Sequence, residues 1–316
     1  MRKPNSTRSL TEGAMLSAIT VLLSLLGAYF MPYLFFITPV PLIILVYRHG
    51  MRPGILVAVT SALLGGMVLS TVPTMIFLLI LGLVGLAMGE ALREGFPPHR
   101  IMLIGTATSV ISLLLMVAVT ALFLDFNVLE TTFETMERSL QQAMQMYERF
   151  GIEEHPLFKT DNLGEFMRLL RLALPAALLT TAIIMTFVNY WLARLILNRI
   201  GGKLPWLKPF RLWRFPWYLA WGYILGQGLL LVTQGSGNSN ALFVLGLNLQ
   251  ILFNYVFLLQ GLAILWFFFD KANLPKLVRW LIIIFVFNPL FTTLVVWAGV
   301  LDTWFNFRKL GQDGSA

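Results

Sequence analysis

Polar residues interrupt this chain in blocks, and between the blocks run apolar stretches with no wet face. A helix that crosses the hydrocarbon of a bilayer needs about 20 residues, with roughly 17–25 tolerated. Segments 13–31, 35–47, 54–70, 73–91, 101–124, 169–197, 216–233, 241–269 and 278–301 meet or approach that length. They predict an all-α, polytopic transmembrane helix bundle of eight or nine spans. Two segments leave the number open. The second is short and holds Pro39 and Pro41, so it reads as a broken or partly re-entrant element. The last holds Asn288-Pro289, and a proline there kinks the helix or splits it into two halves.

The block at 125–168 has a different pattern. It carries nine acidic and four basic residues. Within it Leu129, Phe133, Met136, Leu140, Met144 and Tyr147 recur at steps of three and four, the mark of one apolar helix face. We expect an amphipathic helix lying on the membrane or on other helices, stopped at Gly151. The block divides the chain into a five-span N-terminal bundle (1–124), an extracytoplasmic acidic insert (125–168) and a C-terminal membrane region (169–316). The last contains a basic aromatic loop at 199–217.

Composition supports the membrane reading. Charged residues make up 12% and hydrophobic residues 58% of the 316, against about a quarter charged in a soluble domain, and the mean hydropathy is +0.78. The net charge of +8 is explained by topology rather than by nucleic acid. With the N-terminus in the cytoplasm, 16 of the 23 basic residues fall on the cytoplasmic side, as the positive-inside rule requires. Arg308 and Lys309 are the misfit. They return to the cytoplasm if the last segment is a re-entrant pair around Pro289. The first apolar run is long and lacks a small-x-small cleavage site, so it reads as a retained span.

No cysteine is present, and His49, His99 and His155 lie far apart, so no metal or cofactor is expected. No acidic or basic residue falls in the middle of an apolar run. Ion-coupled transporters need titrating groups along their path, and no Gly-rich phosphate loop occurs. The chain therefore reads neither as a self-energised transporter nor as an enzyme; Glu90, Glu94 and His99 fit a solvated loop. What the apolar runs do hold is uncharged polarity. In 241–269, Gly246, Gln250, Asn254 and Gly261 share a helix face, with Asn248 and Gln260 to either side. Two readings stay open: hydrogen bonds between helices, or a pocket in which Gln250 and Asn254 bind a small polar solute. Small residues mark close helix approach at Gly65-Gly66, at Gly82, Gly85 and Gly89, and at Ala14 and Ala18, an A-x-x-x-A pair. The loop at 199–217, with Trp206, Trp213 and Trp217 among its cations, suits the headgroup layer or a cytoplasmic partner.

TEGAMLSAITVLLSLL, PVPLIILVYRHGMRPGILVAVTSALLGG and the ending GVLDTWFNFRKL resemble the YybS family of uncharacterised multi-pass membrane proteins, over essentially the whole chain. The N-terminal half of that family resembles the S-components of energy-coupling factor transporters. Those small membrane proteins bind a vitamin or metal and dock a separate transmembrane subunit with two ATPases through an A-x-x-x-A motif. The resemblance implies a bacterial cell-membrane protein that docks such a partner at Ala14 and Ala18, with the acidic insert as a lid. The rod-shape protein MreD belongs to the same broad group, so the alternative is a non-transporting scaffold or regulator contacting envelope proteins.

Overall fold

The computed structural model describes residues 6–69, 71–123, 127–149, 160–202, 204, 207–234 and 240–309. Gly151, Lys203 and Trp206 lie outside the described residues. Twelve α-helices are described: α1 Ser6–Tyr29, α2 Pro39–His49, α3 Met51–Val68, α4 Val72–Arg93, α5 Pro98–Phe123, α6 Val128–Arg149, α7 Thr160–Leu172, α8 Leu174–Arg199, α9 Leu219–Val232, α10 Ala241–Lys271, α11 Lys276–Val286 and α12 Pro289–Phe305. The chain is an all-α polytopic helical bundle.

Among the described residues, seven helical segments are long and apolar enough to cross a membrane, or eight if the bent pair α11–α12 counts as one. The break at Pro39 resolves as a 3-10 turn, Pro32–Ile37, leading into α2, and residues 32–49 together make one span. Pro39 sits in the first turn of α2, where a missing N–H costs nothing. The expected segment 216–233 is shorter than a span, since α9 has 14 residues, about 21 Å at 1.5 Å per residue. Asn288 caps α12, accepting a hydrogen bond from the Leu290 amide at 3.2 Å, and α11 and α12 meet at 101°.

The chain packs as two compact units. Unit 1 comprises Met1–Met167 with Leu178–Trp206, and unit 2 comprises Arg168–Ala177 with Leu207–Ala316. Six of the seven long segments belong to unit 1. Their crossings use the glycines that the sequence marked. A Cβ on Gly82 would meet Ala58, one on Gly85 would meet Leu42, and one on Gly89 would meet Val46 and the Ile43 carbonyl. Bare glycine backbone lets α4 approach α2 and α3 this closely. On α1, Gly13 faces Val57, Ser17 Oγ lies 2.9 Å from Ser61 Oγ, and Thr20 and Ser24 are buried.

The amphipathic helix forms as expected over Val128–Arg149. Phe133 is buried and Leu129, Leu140 and Met144 are half-buried, while Met136 and Tyr147 remain exposed. A second amphipathic helix, α7, follows where hydropathy placed the start of a membrane span at 169. Leu163 and Met167 are its buried positions.

Candidate functional site

Two glycine crossings hold unit 2 together. α9 meets α10 where a Cβ on Gly246 would lie 2.9 Å from that of Leu229, and one on Gly226 would lie 3.0 Å from the Gln250 amide nitrogen. α10 meets α12 where a Cβ on Gly299 would lie 3.0 Å from the Gly261 amide nitrogen. Tyr223, Phe257 and Val300 fill the space between. The edge of the Tyr223 ring packs against Phe257 at 5.8 Å and against Trp297 at 5.6 Å.

The amides of α10 act on both sides of the face expected to be functional. Asn248 replaces a missing helix hydrogen bond. Pro175 has no N–H to donate and its ring crowds the Arg171 carbonyl, so the helix breaks between α7 and α8. Asn248 Oδ1 accepts from the Ala176 amide at 2.8 Å, and its Nδ2 donates to the Leu172 carbonyl at 2.8 Å. Those two backbone groups would have bonded to each other in an unbroken helix. Asn248→Leu strands both, at roughly 1–3 kcal/mol for each buried group. We expect a melting temperature several degrees lower in detergent and faster amide exchange at Ala176; unchanged exchange there contradicts the role.

Gln260 belongs to a larger polar arrangement at the far end of α10. It is fully buried, accepts from the Phe215 amide at 3.0 Å and donates to Asp302 Oδ2 at 3.3 Å. Arg308 Nη2 donates to the same carboxylate oxygen at 2.8 Å, and neither charged side chain has any exposure. Arg308 also donates to the backbone carbonyls of Arg211 at 2.7 Å and Trp213 at 2.8 Å. Arg214 donates to the Thr303 carbonyl at 3.3 Å. Beside this clasp, Asp270 receives Arg211 at 2.9 Å and Arg279 at 2.5 Å. The basic segment 207–218 is thus strapped across the end of unit 2.

This geometry places the tail. Asn306 has φ 47° and closes α12 in the left-handed conformation that asparagine tolerates, which turns Arg308 back onto the strap. The start of α11, through Arg279, and the end of α12, through Arg308, reach the same end of unit 2. The last segment is therefore sharply bent, and Arg308 lies beside the loop cations. A buried ion pair was not anticipated from the sequence. Asp302 and Arg308 form a wholly buried ion pair, sited where α12 ends rather than mid-span.

The residues singled out from sequence fall elsewhere. Gln250 and Asn254 are half-buried on α10. Gln250 Oε1 is itself buried and has no hydrogen-bond partner. Ala14 and Ala18 are exposed on α1, opposite its packed face. A cavity of about 10 Å³ lies in unit 1, lined in part by Thr20, Thr38 and Ser61, room for about one water. Glu12 holds Arg48 at 3.0 Å and His49 at 2.7 Å.

A bundle of apolar helices, seven segments of which are of membrane length among the described residues, defines a class, the polytopic membrane proteins. Within it, the chain belongs to the family described as predicted membrane protein (DUF2232), whose model matches residues 18–303. It is 26% identical over 318 residues to the uncharacterized protein YybS of Bacillus subtilis (strain 168), covering 96% of this chain and 98% of that one. No solved structure matches it.

Proposed function

We propose that this protein is a non-catalytic receptor subunit of S-component type, set in a bacterial cell membrane with its N-terminus in the cytoplasm. One observation carries the reading. Unit 1 holds six membrane-length segments, and its first helix buries Gly13, Ser17 and Thr20 while leaving Ala14 and Ala18 uncovered. A small-residue face left open on a membrane helix suits close approach by a second protein. The partner is a membrane subunit carrying ATPases. Gln250 and Asn254 contact the transported solute, a reading supported by the unpartnered Gln250 Oε1.

Ala14→Leu combined with Ala18→Leu is expected to reduce co-purification of an ATPase-bearing membrane subunit at least tenfold. The melting temperature should change little, because both side chains are exposed. A solute screen on the purified chain should raise the melting temperature for one ligand. If no ATPase co-purifies with wild type and no solute shifts the melting temperature, the reading fails.

A second reading is a scaffold in envelope or cell-shape processes, supported by the basic strap held fixed at the end of unit 2 as a contact surface. It expects stable envelope partners without ligand and a shape defect on deletion. A deletion that altered only solute uptake would count against it.

A further inference from the structure

Four helices end together on one side of unit 2: α9 and α11 begin there, and α10 and α12 finish there. Among the described residues the strap, the α10–α11 turn and the tail bring eight cations to this end, Lys208, Arg211, Arg214, Lys271, Lys276, Arg279, Arg308 and Lys309, with two carboxylates. Both carboxylates are already engaged: Asp270 by Arg211 and Arg279, and Asp302 by Arg308. Lys208, Lys271 and Lys276 are exposed, and among the described residues no further carboxylate is left at this end to pair with them. Trp217, Tyr218 and Trp280 stand around them, 58%, 59% and 60% exposed.

A 31-residue α10 is about 46 Å long, well beyond a hydrocarbon core of about 30 Å. Its last turns therefore project into the headgroup layer. Exposed indole and phenol rings are favoured at that depth, and unmatched ammonium groups attract anionic lipid there. The clasp holds the strap in place, so these cations form a fixed array rather than a mobile tail.

We propose that this end of unit 2 binds anionic phospholipid, with Lys208, Lys271 and Lys276 meeting the headgroup phosphate and Trp217, Tyr218 and Trp280 seated in the glycerol layer. The bilayer itself is the occupant. A soluble phosphate offers the same oxygens but no acyl chains for the rings, and an acidic protein would bind without regard to lipid.

The test uses the full chain in mixed micelles with equal amounts of phosphatidylglycerol and phosphatidylcholine, with retained lipids counted by native mass spectrometry. Phosphatidylglycerol should be retained about tenfold over phosphatidylcholine. Each cation near the surface is worth roughly fivefold, so Lys208→Gln/Lys271→Gln/Lys276→Gln should abolish the preference. Arg52→Gln/Arg100→Gln/Arg199→Gln removes three exposed cations from unit 1 and should leave it intact. Glycerol phosphate at the same concentration should not displace the lipid. Equal retention of the two lipids, a preference that survives the lysine variant, or one lost equally in the arginine variant overturns the proposal; so does displacement by glycerol phosphate.

Discussion

Arg308→Met should release the strap. Asp302 would be left charged, buried and without its cation, and the carbonyls of Arg211 and Trp213 would lose their donors. Removing one partner of a buried pair costs about 3–5 kcal/mol, because the remaining charge stays desolvated. The expected result is tryptic cleavage at Arg211 or Arg214 at least tenfold faster than in wild type. The melting temperature should fall by roughly 10 °C if the loss is felt globally. Asp302→Leu should behave alike from the other side, leaving a buried guanidinium.

The pair interaction separates from general damage in the double variant. With Arg308→Met and Asp302→Leu together no charge is stranded, and replacing a whole buried pair by apolar groups is often neutral. The double variant should therefore be less damaged than the two single losses added. It should still show some cleavage, because the strap carbonyls remain without donors. Simple additivity would mean that the two charges act separately, and the clasp would lose its basis.

This clasp shows where sequence reading stops. The membrane-length helices were legible, because an apolar run of about 20 residues has few alternatives. So were the glycine crossings of α4, since small residues at close spacing have a direct steric meaning. The break in the last segment was also within reach, because Pro289 cannot continue a helix without a kink. The ion pair was not. Asp302 and Arg308 are six residues apart, and they meet only because Asn306 turns the chain back at φ 47°. No periodicity signals a left-handed turn. Yet Gly299, Asp302, Asn306 and Arg308 all lie in GVLDTWFNFRKL, the string that carries the family resemblance most specifically. Its chemistry is a close crossing, a buried charge, a turn and a clasp.

The amides of α10 show a different gap. A helical wheel places Gln250 and Asn254 with Gly246, and that face does enter the packing. A wheel is silent about where a neighbouring backbone is broken. Asn248 matters because Pro175 leaves Leu172 and Ala176 without each other, and Gln260 matters because the strap brings an amide to it. Both partners lie 45 or more residues away in sequence. The second amphipathic helix was hidden for a simpler reason. Leu169, Leu170 and Leu172 raise local hydropathy enough to merge α7 with the span that follows.

Gly261→Leu and Gly299→Leu are expected to be the most damaging packing changes in unit 2. At Gly299 a Cβ would press on the Phe257 carbonyl and lie 3.0 Å from the Gly261 amide nitrogen, and at Gly261 it would meet the Val295 carbonyl. These are backbone atoms, which cannot rotate aside as a side chain does. Overpacking a well-fitted core costs typically 1–3 kcal/mol where side chains can adjust, and occasionally more. Here α10 and α12 would have to part, opening the contacts of Phe257 with Tyr223 and Val300. Because α12 carries Asp302 to the clasp, its displacement should also free the strap. Either variant should thus show a lower melting temperature together with faster tryptic cleavage at Arg211 or Arg214. Gly228→Leu is the matched control, since a Cβ at Gly228 meets nothing within 4 Å; it should leave both readouts near wild type. If Gly261→Leu matched that control, the close crossing of α10 and α12 would not be what carries Asp302 to its partner.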